Sequence, residues 1–309
     1  MKKFTSIKDC PQPQKLIEKA LHYKQNPYSN LGEKKTLGLV FFNPSLRTRL
    51  STQKAAYNLG MNVLVINVST DGWQIEMEDG AIMNQGTQEH IKEAIKVVSA
   101  YCDIIGVRTF AKLQNLAEDG EEKVLQQFLK YADVPVISLE STSLHPLQSL
   151  ADLVSIAETK ISKPKVVLSW APHPKALPHA VANSFLEWIK STDAEVTVCH
   201  PEGYELNPMY TAGLTISHSQ ESAFKNADFI YCKSWSSSKE YGSHIPVKGN
   251  WMIDQQKMAL GNNTKFMHCL PIRRNVVASD EVIDHSMVYQ QAANRLWAAQ
   301  AVLSEILES

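Results

Sequence analysis

The sequence predicts an α/β protein of two doubly wound parallel-sheet lobes with an inter-domain cleft. Short runs rich in Val, Ile, Leu and Phe alternate with amphipathic helical segments along the chain. Continuous apolar runs of this kind mark parallel strands buried on both faces. The alternation restarts after a long central helix. The chain's 309 residues also exceed what one core usually holds and fit two domains of roughly 150 residues.

In order, residues 36–43 read as a buried strand, 45–59 as a helix closed by Gly60, and 62–68 as a strand. A helix at 87–102, a strand at 103–110, a helix at 121–132 and a strand at 135–140 follow. The helix at 147–160 can link two halves. Beyond it come a strand at 165–172, a helix at 179–193 and strands at 195–201 and 214–217. A helix at 221–227, strands at 229–235 and 265–271, and a terminal helix at 292–308 complete the pattern. Ligands in such sheets sit beyond the carboxyl ends of strands, so chemistry is to be sought there.

Bulk properties narrow the partners. A net charge of -1 gives no reason to expect nucleic acid or an anionic membrane. An anionic small substrate must then be held by a few local cations. Cys10, Cys102, Cys199, Cys232 and Cys269 are far apart and form no CxxC pair, which speaks against a disulfide framework and a zinc site. The basic start Met1-Lys2-Lys3 has no apolar run behind it, and no apolar stretch approaches about 18 residues. A cytoplasmic enzyme without metal or cofactor is the expectation.

The first strand ends in Phe41-Phe42-Asn43-Pro44 and runs into Ser45-Leu46-Arg47-Thr48-Arg49. Ser45 reads as the N-cap of a helix whose free backbone N–H groups, with Arg47 and Thr48, form a phosphate cradle. A capped helix with an exposed basic face would explain these residues equally well if they stood alone. Later strand ends carry Arg108; Glu140, with His145-Pro146-Leu147-Gln148 beyond it; His173; Lys233; and His268-Cys269-Leu270-Pro271 followed by Arg273 and Arg274. Each alone has a plain structural explanation, such as a satisfied histidine or a small buried cysteine. Their repetition at successive strand ends is what points to a site.

In this order the motifs resemble the aspartate/ornithine carbamoyltransferase family over essentially the whole chain. Ser45-Leu46-Arg47-Thr48 is similar to the family's Ser-x-Arg-Thr motif, and His145-Pro146-Leu147-Gln148 to its His-Pro-x-Gln motif. His268-Cys269-Leu270-Pro271 is similar to the His-Cys-Leu-Pro motif of the ornithine branch, and Asn294-Arg295, opening the last helix, to a fourth element. The resemblance implies a carbamoyl phosphate-binding domain (residues 1–145 plus 290–309) and an acylornithine-binding domain (146–289), with the C-terminal helix returning to the first lobe. It implies a homotrimer with shared active sites, in which the loop around Trp73 and the segment near Gln88 reach a neighbour's site.

Carbamoyl phosphate would then lie against Ser45, Leu46, Arg47, Thr48, Trp73, Arg108, His145, Gln148, Cys269, Leu270 and Arg295. Arg47, Thr48, Arg108, His145 and Gln148 are the implied catalytic set. Thr48, Arg108 and His145 donate to the carbonyl oxygen, while Gln148, Arg295 and the Leu270 carbonyl orient the NH2 end. Glu140, His173, Asn183, Lys233, Cys269 and Arg273 are the acylornithine candidates, with structural polar pairing as their plainer explanation. Cys269 is assigned positioning, since no activating base is identifiable.

Residues 228–235 lack the Ser-Met-Gly with which ordinary ornithine enzymes read a free α-amine. That departure, with Asp71-Gly72-Trp73, resembles the N-acylornithine branch. Gln88 is the acyl-specificity candidate. Acetyl-type members carry Glu there and succinyl-type members Pro, so Gln88 matches neither; a carboxylate would repel the extra carboxylate of a succinyl group. Gln88 is neutral, and Val277 stands where acetyl-type members carry Lys, so the expected substrate is N-succinyl-L-ornithine, with N-acetyl-L-ornithine and then free ornithine as alternatives. The implied reaction is a carbamoyl transfer in arginine biosynthesis. A nicotinamide-dependent dehydrogenase shares the layout but needs a GxGxxG turn, which is missing. A non-catalytic two-lobed binding protein would not need both a phosphate cradle and His145.

Overall fold

The computed structural model describes residues 1–72 and 74–309. Trp73 lies outside the described residues. The chain forms two compact units, one of Met1–Ala111, Ala117–Leu147 and Arg295–Ser309, the other of Lys112–Leu116 and Gln148–Asn294.

The first unit contains β1 (Lys3–Phe4), β2 (Thr36–Phe41), β3 (Asn62–Asn67), β4 (Ile75–Glu76), β5 (Glu89–His90), β6 (Ile104–Arg108) and β7 (Val136–Glu140). Five of them make one parallel sheet in the order β1-β7-β6-β2-β3, and β4 pairs with β5 in a separate parallel ribbon. The central strands are apolar at nearly every position because both faces are buried, with Leu37, Leu39, Ile105 and Leu139 fully enclosed. From β2 the chain passes to β3 on one side and later to β6 on the other. Strand order therefore reverses between β2 and β6, the kind of point where α/β sheets take ligands. Phe41 is in register with Arg108 there. Register then slips, so that Val107 faces Ser138 and Arg108 faces Glu140. This bulge, with Leu139 as the extra residue, re-aims the strand end.

The second unit repeats the scheme with β8 (Lys165–Trp170), β9 (Glu195–Cys199), β10 (Thr215–Ser217), β11 (Phe229–Lys233) and β12 (Lys265–Met267). All are parallel in the order β10-β9-β8-β11-β12, so this sheet reverses between β8 and β11. Trp170 is in register with Lys233 at that point. Two buried tryptophans anchor the region through their ring N–H groups: Trp170 donates to Trp235 O at 3.0 Å and Trp235 to Tyr204 O at 2.8 Å.

Several boundaries differ from the sequence reading. The helix placed at 87–102 is Ile91–Tyr101, because Glu89 and His90 pair as β5 and the His90 ring caps the Lys92 N–H at 3.2 Å. The terminal helix is Val288–Leu307, so Asn294 and Arg295 lie in its second turn and do not open it. Helix Pro13–Gln25, the two-residue β1 and the short helices Pro208–Thr211, Gln255–Met258 and Asp280–Asp284 were not anticipated. Residues Lys112–Leu116 group with the second unit although they interrupt the first in sequence. Among the described residues, no helix is long and apolar enough to cross a membrane.

Candidate active site

Helix Leu46–Asn58 starts directly after the β2 turn. Ser45 occupies the N-cap position in an extended conformation, yet its side chain makes no capping bond. The first-turn N–H groups of Leu46, Arg47 and Thr48 therefore face outward at the positive end of the helix dipole, a natural anion seat. Leu46 is largely exposed, Arg47 half-buried and Thr48 buried.

Arg295 links two other buried side chains, Thr48 and His145. Arg295 Nη2 donates to Thr48 Oγ1 at 2.9 Å, and its Nη1 lies 3.1 Å from His145 Nε2. A guanidinium only donates, so His145 Nε2 accepts and the ring proton sits on Nδ1. Arg108 donates to Asn43 O at 3.1 Å and Pro44 O at 2.9 Å, pinning the turn that opens the helix. Glu140 Oε2 accepts from Arg108 Nε at 3.1 Å and Nη2 at 2.7 Å, and lies 3.9 Å from His145 Nε2. Glu140, expected at the amino substrate, is thus the counter-ion of Arg108. Such a buried pair holds its geometry because breaking it strands a charge.

The second unit brings together another group. Arg273 Nε donates to His173 Nε2 at 3.3 Å. Burial pushes the His173 pKa down, and the positive fields of Lys233, Arg273 and His244 push it further. Four cationic or protonatable groups thus share one region around His173, a setting for carboxylates. Gln148 is buried, and its Nε2 donates to Asp152 Oδ1 at 2.8 Å. The same oxygen accepts from Gln291 Nε2 at 2.7 Å, and Gln291 Oε1 accepts the His268 backbone N–H at 2.9 Å. Cys269 and Asn183 are buried. Leu270 has φ 53° and precedes a cis peptide to Pro271. Gln88 is exposed, one residue ahead of β5, and its Oε1 accepts the Gln74 N–H at 3.1 Å.

Residues 2–158 match the aspartate/ornithine carbamoyltransferase carbamoyl-P binding domain, and residues 178–306 match the Asp/Orn binding domain of the same group. The chain belongs to the aspartate/ornithine carbamoyltransferase family. It is a carbamoyltransferase, and its relatives set it in the family's N-acylornithine branch. It is 46% identical over 316 residues to N-succinylornithine carbamoyltransferase of Bacteroides fragilis, covering 100% of this chain and 99% of that one. Identity to N-acetylornithine carbamoyltransferase of Xylella fastidiosa is 37% over 332 residues, covering 99% and 98%. A solved mutant of N-acetyl-L-ornithine transcarbamylase, complexed with carbamyl phosphate and N-succinyl-L-norvaline, matches with a TM-score of 0.92 and 35% identity, covering 99% of this chain and 100% of that one.

In this carbamoyltransferase the sequence reading missed three site-side groups. Asp152 and Gln291 hold Gln148 and the His268 backbone, and His244 joins the His173 group. Asp152 had a usable signal, since it lies one helical turn after Gln148. Gln291 and His244 had none, because their partners are far away in sequence.

Proposed function

We propose that this carbamoyltransferase moves the carbamoyl group of carbamoyl phosphate to the δ-amine of N-succinyl-L-ornithine, giving N-succinyl-L-citrulline and phosphate. The observation that carries the transfer chemistry is the Thr48–Arg295–His145 chain, closed against the outward N–H groups of helix Leu46–Asn58. Phosphate is bound by those N–H groups and Arg47. Thr48, Arg108 and His145 face the carbonyl oxygen, where negative charge grows as the neutral amine attacks the carbon. Each well-aimed donor is worth roughly 3–4 kcal/mol at that stage. Collapse breaks the carbon–oxygen bond to phosphate, which leaves with the proton lost by the amine. Gln148, Arg295 and Leu270 O orient the NH2 end, Cys269 positions the amine, and holding both substrates in line supplies further acceleration.

Three features support the succinyl substrate. Gln88 is neutral and offers amide N–H groups that can donate to a carboxylate. His173, Lys233 and Arg273, with Asn183 from the neighbouring helix, suit a substrate bearing two carboxylates. The 46% identity to the Bacteroides fragilis enzyme points the same way. We further infer a homotrimer in which Gln88 and Trp73 act in a neighbouring copy's site.

A substrate panel tests the reading. With carbamoyl phosphate supplied, citrulline-type product should form fastest with N-succinylornithine, slowly with N-acetylornithine, and not with ornithine or aspartate. Gln88→Glu should shift preference towards N-acetylornithine. A native preference for N-acetylornithine would sink the succinyl assignment alone, whereas turnover of free ornithine only would sink the branch.

A further inference from the structure

The loop that delivers His145 is held by a carboxylate from a different element. Strand β7 ends at Glu140, helix Pro146–Ala157 begins one residue after His145, and Ser141–Leu144 makes the turn between them. Within the turn, Ser141 N donates to Leu144 O at 2.8 Å and Leu144 N to Ser141 Oγ at 3.1 Å. The Thr142 hydroxyl donates to Asp119 O, and three further donors go to Glu122. Glu122 Oε1 accepts from Ser141 Oγ at 2.7 Å and from Ser143 N at 2.8 Å, and Oε2 accepts from Thr142 N at 3.1 Å. One side chain thus gathers two consecutive backbone N–H groups and a hydroxyl just ahead of His145. A carboxylate is the natural hub for such a turn, since it accepts only and does so strongly.

The backbone of Glu122 carries a cost for holding that post. Its φ is 54° and ψ 34°, the left-handed region that a residue with a Cβ rarely occupies. Glycine or asparagine would suit the position better as backbone. A strained non-glycine residue whose side chain is spent on an active-site turn is the pattern expected when function keeps the residue in place.

We propose that Glu122 is a positioning residue for carbamoyl transfer: it fixes the Ser141–Leu144 turn and thereby the imidazole of His145 against Arg295. The inference rests on the assignment of His145 above.

Glu122→Gly is the informative variant, because it deletes the carboxylate while relieving the left-handed backbone. Relief of the left-handed backbone offsets part of the lost hydrogen bonding, so its melting temperature should fall only slightly, while kcat falls by about 10- to 100-fold, the scale expected when a reacting group is displaced by around an ångström. Glu122→Gln, which keeps one acceptor oxygen, should recover part of the loss. The decisive measurement is a double-mutant cycle with His145→Asn. If Glu122 acts through His145, adding Glu122→Gly to His145→Asn should cost less than about 2-fold further. A Glu122→Gly enzyme with undiminished kcat, or an equal loss in both backgrounds, would overturn the proposal. His145→Asn with full turnover would remove the His145 assignment itself and this inference with it.

Discussion

His173 shows how neighbouring charge sets a side chain's state. Arg273 donates to its Nε2, so the ring proton sits on Nδ1, 2.8 Å from Lys175 O. Burial and then the cations Lys233, Arg273 and His244 depress its pKa below the ordinary 6.5. A histidine with a lowered folded pKa adds stability that is complete above the unfolded value and is lost as pH falls through the folded one. Protonation would also turn Nε2 into a donor facing Arg273. A bound carboxylate reverses the balance by favouring the charged ring. The His173 imidazole resonance followed by NMR should therefore titrate below 6.5 in the free protein and shift upward with an N-acylornithine analogue bound. A midpoint that does not move on ligand addition would place the carboxylates elsewhere. That His173 stands at a strand end was legible in the sequence. That it faces Arg273, one hundred positions onward, was not, because the two meet only through the side-by-side packing of β8, β11 and β12.

Helices Pro146–Ala157 and Val288–Leu307 are joined by buried polar contacts. Asp152 receives Gln148 and Gln291, while Asn294 donates to Ser155 Oγ at 2.9 Å and Glu158 Oε2 at 2.7 Å. Through Gln291 the network reaches the His268 backbone and so the strand end that carries Cys269. Asp152→Ala would leave two buried amide donors without their shared acceptor. It should cost roughly 2–6 kcal/mol in urea denaturation, since each stranded donor costs about 1–3 kcal/mol. A loss under about 1 kcal/mol would mean that water replaces the carboxylate. At this scale the long apolar strands were legible because burial on both faces leaves an unbroken apolar run. The β4–β5 ribbon was not, because two-residue strands in a polar segment form only when distant partners meet. The same blindness moved two helix starts: His90 caps one by its side chain, and Gln290 and Gln291 anchor the first turn of the other to partners far away in sequence.

For the whole molecule, the first unit leaves apolar surface that one copy does not cover. On helix Leu46–Asn58, Leu46, Leu50 and Tyr57 are 69%, 57% and 55% exposed. Their spacing of four and seven residues keeps them on one stripe of a helix with 3.6 residues per turn. Leu64, on the edge strand β3, is 46% exposed. An uncovered stripe beside an uncovered edge is the kind of surface that a further copy of the chain buries. If the assembly is a trimer, light scattering should give about three times the 34.6 kDa chain mass. Tyr57→Glu combined with Leu64→Glu places two charges where the interface would be dry, each opposed by a desolvation cost of several kcal/mol. If the trimer shares its sites, that double variant should run as a monomer and lose turnover. A monomeric double variant with full activity would show that each site is complete within a single chain. An unchanged trimer would place the interface on another face.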